Sequence, residues 1–137
     1  EAVTSVDFLP TFAEIGGGKI SRIPVDGESL MPLWTRSGSL KRDAIYWHYP
    51  HYHHDGVAPS GAIRKGDYKL IEWFEKSIDG PQTEGAFELY DLRHDRNEQN
   101  NLLKKMPEKA KELYEDLKRW RKDVGAQEMS FNQSSEV

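Results

Sequence analysis

The sequence predicts an α+β fold: a four-stranded antiparallel sheet packed against one long C-terminal helix, with a short N-terminal helix and an irregular connector ahead of it. Two observations carry this prediction. Four short runs rich in aromatic and β-branched residues are separated by turn formers, and the middle pair flanks Lys65-Gly66-Asp67, where a glycine at positive φ makes a tight hairpin. From Pro107 to Val124, apolar residues recur at steps of three and four, the period of a helix that buries one face.

Each element has its own warrant. Val6, Leu9, Phe12 and Ala13 stand at helical spacing within Ser5 to Ile15, with Asp7 in the first turn and Gly16-Gly17-Gly18 as the stop. Pro10 fits if the regular helix starts near Leu9, since a first-turn N–H has no helical partner to lose. Residues 19 to 43 hold no sustained period and carry Pro24, Gly27, Pro32 and Gly38, so they are expected to wrap as a connector that docks Ile23, Val25, Leu30 and Leu33. The strands are expected at Ala44–Tyr49, Gly61–Lys65, Tyr68–Phe74 and Ala86–Leu92, with Ile63 pairing near Leu70 or Ile71. Lys76 to Gly85 reads as a loop and Arg93 to Asn101 as a turn. The long helix opens on Pro107, stops at Gly125 and buries Ala110, Leu113, Leu117, Trp120 and Val124. One sheet face is then covered by this helix, while Tyr46, His48, Tyr68 or Trp73 on the other face needs a cover from elsewhere. The organisation expected is a helix and connector over residues 1–43, a sheet-plus-helix domain over 44–125 and a polar tail over 126–137.

Composition narrows the function. A chain of 137 residues is long enough for one core, and no apolar run is long enough to span a bilayer. A net charge of -4 gives no global field for a polyanion, so nucleic acid is not an expected partner. Cysteine is absent, which removes disulfides, thiolate metal sites and a cysteine nucleophile. The opening Glu1-Ala-Val lacks an initiator methionine and a signal-like segment, as expected of a chain cut from something longer.

Several phrases, taken in order, resemble one family. Val6-Asp-Phe-Leu-Pro-Thr-Phe12 with Gly16-Gly17, Asp26-Gly-Glu-Ser-Leu-Met-Pro-Leu33, Ile45-Tyr-Trp-His48, Gly61-Ala-Ile-Arg-Lys-Gly-Asp-Tyr-Lys-Leu-Ile71, and Glu88-Leu-Tyr-Asp-Leu92 followed by Asn100-Asn-Leu102 are similar to the C-terminal part of the formylglycine-dependent sulfatases of the arylsulfatase and N-acetylgalactosamine-6-sulfatase type. The resemblance implies that residues 1–43 close a large α/β catalytic domain and that 44–125 form the smaller C-terminal subdomain. It further implies a parent enzyme hydrolysing sulfate esters of a glycosaminoglycan or other polysaccharide, in a periplasmic, extracellular or lysosomal setting. In such enzymes a formylglycine hydrate attacks sulfur beside a calcium ion. Both are expected in the catalytic domain, the partner this chain would need, and neither in this chain. Ser60-Gly-Ala-Ile-Arg64 formally fits a Ser-x-Ala-x-Arg maturation pattern, yet the hairpin turn that follows it is unlike the helix start of the family motif, so no catalytic residue is assigned here.

The segment Ile45-Tyr-Trp-His-Tyr-Pro-His-Tyr-His-His54 holds four of the five histidines. Three or four convergent imidazoles would bind a metal, but Pro50 and Gly56 leave the loop without a regular element to fix them, so no metal ligand is assigned. General acid–base work needs a reacting group that the chain does not offer. The preferred reading is a substrate rim, with His48, His51, Tyr52 and His53 facing sugar and Arg64 and Lys65 facing anionic groups. The alternative within the resemblance is a seam, with Trp47 and Tyr49 in a core and the histidines sealing a domain boundary. The alternative outside it is a free-standing carbohydrate- or metal-binding module using the same loop. Arg42-Asp43, Glu88 and Asp91 read as edge and turn charges, and Asp95 and Asn97 as turn formers without an EF-hand pattern.

Overall fold

The computed structural model describes residues 1–20, 24–78 and 83–130. The chain divides into two compact units, Glu1–Asp43 and Ala44–Val137.

In the first unit a 3₁₀ turn over Ser5–Asp7 runs into helix α1, Phe8–Ile15. What organises this unit is polar. The Asp7 carboxylate is fully buried and accepts hydrogen bonds from the backbone N–H groups of Thr4 and Glu28, at 2.8 and 3.0 Å. It also takes both arms of the Arg42 guanidinium, which holds its pKa down at about 2. Thr11, equally buried, donates its hydroxyl to the Asp7 carbonyl and accepts the Leu30 N–H. Glu28 caps the N–H groups of Lys41 and Arg42 at 2.7 and 2.6 Å. The connector is thus tied by carboxylates to the start of α1, and it includes a single helical turn, α2, Met31–Trp34. Of the expected docking residues Leu30 is buried, Leu33 is half-buried and Val25 is exposed, while Ile23 lies outside the described residues. The apolar stripe of α1 does not face this network: Leu9 and Phe12 are 53% and 61% exposed. Gly27 lies so close to the Val6 carbonyl that a Cβ there would overlap backbone atoms of Val6 and Asp7.

The second unit is the sheet and helix that the sequence predicts. Strands β1 (Ala44–Tyr49), β2 (Ser60–Lys65), β3 (Tyr68–Trp73) and β4 (Phe87–Asp91) form an antiparallel meander in the order β1-β2-β3-β4. Ile63 pairs with Leu70, and Lys65 with Tyr68 closes a two-residue turn whose Gly66 sits at φ 59. The strand run ends at Trp73, not Phe74. There the Phe74 N–H turns aside to the Pro59 carbonyl and a short helix, α3 (Phe74–Ser77), begins. The rest of the expected loop is described only outside residues 79–82. Helix α4, Pro107–Val124, ends on Gly125 in the left-handed region at φ 63.

Alternation along the strands sorts the side chains onto two faces. Ile63, Leu70, Leu89, Leu113 and Leu117 are fully buried between sheet and α4. Tyr46 belongs to this face, stacked on Trp120 at 4.9 Å, as do His48 and Tyr68, over which Lys109 sits. Only Trp73 of the four residues expected to need an outside cover lies on the face turned away from α4, in register with Ser60. The last turn of the helix also departs from the apolar stripe. Val124 is 54% exposed, and the buried position belongs to Arg121, which forms an ion pair with the buried Glu72 of β3. The turn after β4 is built by Asp95, whose carboxylate caps Gln99 and Asn100, and by Asn101, whose amide oxygen accepts the N–H groups of Leu89 and Leu103. Leu102 adds a backbone bond to Leu89, so this segment shields the free edge of β4.

Candidate functional site

The ring-rich segment leaves the sheet at the end of β1, and its alternation decides which way each ring points. Trp47 and Tyr49 fall on the face turned away from α4 and stay 44% and 42% exposed. His48, between them, falls on the helix side. Its ring lies against Phe74 at 5.2 Å and its Nε2 is 2.6 Å from the Gln127 carbonyl. It lines a recess of about 170 Å³ together with Glu72, Phe74, Tyr114 and Arg121. His48 Nδ1 and Arg121 Nε are buried there without a hydrogen-bond partner.

Beyond Tyr49 the loop folds on itself. The His53 N–H bonds to the Val57 carbonyl, and the Gly56 N–H returns to the His53 carbonyl at 3.0 Å, a turn made possible by Gly56 at φ 80. The Tyr49 ring meets His51 edge-on at 5.6 Å and His53 at 6.3 Å. Tyr52 donates its phenol to Glu75 of α3 at 2.6 Å, and that bond raises its pKa. His53 Nδ1 and His54 Nε2 each stand 3.2 Å from Asp55, on different carboxylate oxygens.

Three of the six expected rim residues, His51, Tyr52 and His53, therefore share one loop, joined by Tyr49 and Glu75. The other three lie outside this loop. His48 points beneath the sheet. Arg64 lies on the face turned away from α4, its Nε buried without a hydrogen-bond partner. Lys65 sits at the opposite end of β2, opposite Ala44, where its ammonium bonds Asp116 of α4 at 2.7 Å and lowers the pKa of that carboxyl. Ser60 and Arg64 are both within β2, and the chain turns directly after Lys65. Reading by residue type overlooked Asp55 and Glu75, although Asp55 follows two histidines directly. It also overlooked Arg121, which stands four residues after Leu117 and so continues the inward row.

Residues 1–124 match the family model described as N-sulphoglucosamine sulphohydrolase, C-terminal. Curated relatives include a sulfatase of Formosa agariphila, 32% identical over 117 residues, covering 78% of this chain and 20% of the relative. Arylsulfatase A of Bos taurus is 31% identical over 133 residues, covering 86% and 25%. N-acetylglucosamine-6-O-sulfatase of Bacteroides thetaiotaomicron is 33% identical over 124 residues, covering 86% and 21%. The chain thus spans a quarter or less of these relatives' lengths. Among solved structures, a protein in complex with its substrate D-glucosamine-2-N,6-O-disulfate superposes with a TM-score of 0.63 at 32% identity, over 85% of this chain and 23% of that one. A 2-O glycosaminoglycan sulfatase shares the fold at 21% identity, with a TM-score of 0.58 over 92% and 27%.

Proposed function

The chain belongs to the N-sulphoglucosamine sulphohydrolase C-terminal family, and on that premise we propose that it is the C-terminal domain of a sulfatase that hydrolyses sulfate esters of a carbohydrate. Its role in that reading is to complete the fold and to form part of the rim of the substrate pocket. The observation that carries the rim is the gathering of Tyr49, His51, Tyr52 and His53 at one end of the sheet. Ring faces suit the apolar faces of pyranoses, and imidazole and phenol groups supply hydrogen bonds to hydroxyl and sulfate oxygens. His48 and Lys65 are already bonded on the helix side, so the rim proposed is narrower than six residues.

The reaction itself is assigned to a catalytic domain. Calcium needs an oxygen-rich cage. Among the described residues the group of three or more candidate ligands that converges is His53, His54 and Asp55, whose two imidazoles do not suit that ion. A nucleophile on Ser60 would have to act from within a β-strand. The chain alone should therefore turn over no aryl sulfate, and a Ser60→Ala variant should not differ from it.

The test uses the full-length enzyme that carries this domain. His51→Ala and Tyr52→Phe should lower kcat/KM on the sulfated sugar by about 5- to 100-fold, the scale of one or two lost hydrogen bonds. An aryl sulfate, which reaches only the reacting centre, should be affected little, and the melting temperature should stay unchanged. Equal losses on both substrates with normal stability would move these residues into the chemistry. A lowered melting temperature with two separate unfolding transitions would make the loop a seam instead.

A further inference from the structure

We propose that His53, His54 and Asp55 form a surface site for a borderline divalent transition ion of the zinc class, a site that does not depend on the rim reading above. The three residues are consecutive, and the turn gathers one ligand atom from each into one cluster. Those atoms all lie within 4.8 Å of one another. A tetrahedral zinc ion with bonds of about 2.0–2.1 Å to nitrogen and oxygen separates neighbouring ligands by roughly 3.3 Å. The separations of His53 Nδ1 and His54 Nε2 from Asp55 are each 3.2 Å. These separations are to Oδ2 for His53 and to Oδ1 for His54, so the carboxylate would meet the ion with both oxygens, and the two rings lie side by side with centroids 4.1 Å apart. Three protein ligands leave a fourth position for water, the usual composition of an open zinc site.

Preorganisation supports the same conclusion. Short chelates made of adjacent residues fail when the backbone must be ordered at the moment of binding. Here the turn is already closed by the His53–Gly56 and His53–Val57 backbone bonds, with Gly56 in the left-handed region. His53 is further steadied by the Tyr49 ring and by the Asp55 N–H, which its Nδ1 accepts at 3.3 Å, and an ion on that nitrogen would take the place of this long bond. His54 and Asp55 are largely exposed, with side chains 82% and 68% accessible, which leaves an entry path from solvent. Two neutral imidazoles and one carboxylate select zinc, nickel or copper over calcium and magnesium.

The probe is zinc chloride titrated by calorimetry into the 137-residue chain, with cobalt absorption as a second readout of tetrahedral coordination. One zinc should bind per chain and raise the thermal unfolding midpoint, since an ion held only by the folded turn stabilises it. His53→Ala, His54→Ala and Asp55→Asn should each weaken binding by about tenfold or more. His51→Ala and His94→Ala, outside the cluster, should bind as the unaltered chain does, and calcium at the same concentration should give no heat. The proposal is overturned if the His53→Ala/His54→Ala double variant binds zinc as tightly as the unaltered chain. It also fails if His51→Ala weakens binding as much as His53→Ala, because the ligand set would then be the whole loop. Retention of the far-UV circular dichroism spectrum in each variant ties a loss to the ligands and not to the fold.

Discussion

Arg121 and Glu72 meet inside the layer between sheet and α4, both more than nine-tenths buried, with the guanidinium also lying over the Phe74 ring at 4.8 Å. Two charges withdrawn from water hold each other in place, and removing one strands the other. Arg121→Ala should cost about 3–5 kcal/mol by denaturant unfolding, the range for breaking a buried pair. Replacing both, Arg121→Met with Glu72→Leu, should restore most of that stability. If the double variant is as unstable as the single one, the pair stabilises through contacts beyond its own charge. The strand opposite leaves room for this pair. Glu72 is in register with Gly61, where a Cβ would come within 2.6 Å of an Arg121 nitrogen and 3.0 Å of Phe74. Reading by residue type assigns a charged residue near a helix end to the macrodipole and to solvent. For Arg121 the position in the row outweighed the type. The same limit applied to the loop, where the abundance of histidine was plain but the closure of the turn onto Asp55 was not.

At the level of elements, periodicity was a sound guide wherever one face meets an apolar layer. The four strands, the Gly66 hairpin and the inward row Ala110, Leu113 and Leu117 of α4 all follow from it. Leu117 is fully buried against Ile63, Leu70 and Leu89, so Leu117→Ala should lower stability by about 2–5 kcal/mol, and an unchanged melting temperature would place the row outside the core. For α1 periodicity located the helix but failed to give its buried side, and the reason is physical: a stripe identifies which side of a helix is apolar, not which side is buried. Asp7 and Thr11 anchor α1 by hydrogen bonds to Arg42, Glu28 and Leu30, and the apolar side is left in solvent. It failed again for the outer sheet face, because a single strand does not say which of its two alternating sets meets the helix. Tyr46 and His48 are as aromatic as Trp47 and Tyr49, and only the register with Ile63 separates them.

Across the whole molecule, the exposed apolar side chains of the first unit are the outstanding property. Val6, Phe8, Leu9, Phe12 and Ile15 are each about half exposed, and Phe8 and Phe12 stack on one another at 5.9 Å. So many exposed apolar side chains on one short helix and the turn before it mark a place where another protein surface sits, or a liability to association when none does. The chain alone should therefore self-associate at micromolar concentrations in analytical centrifugation. A Phe8→Ser/Phe12→Ser variant should shift it toward monomer while keeping its circular dichroism spectrum. A monomeric chain without these substitutions would show the stripe to be harmless and weaken the case for an absent catalytic partner. No described helix is long and apolar enough to cross a membrane, so the stripe is not part of a spanning segment.

Gly27 carries a consequence at the level of codons. Its Cα lies against the Val6 carbonyl with no space for a side-chain carbon, and every amino acid reached from a glycine codon by one base change has that carbon. Neighbouring Asp26 and Val25 are exposed, so single-base changes should be tolerated there, while at Gly27 only synonymous ones should be. The contact between connector and first turn should thereby act as a fixed point when the rest of the first unit is mutated.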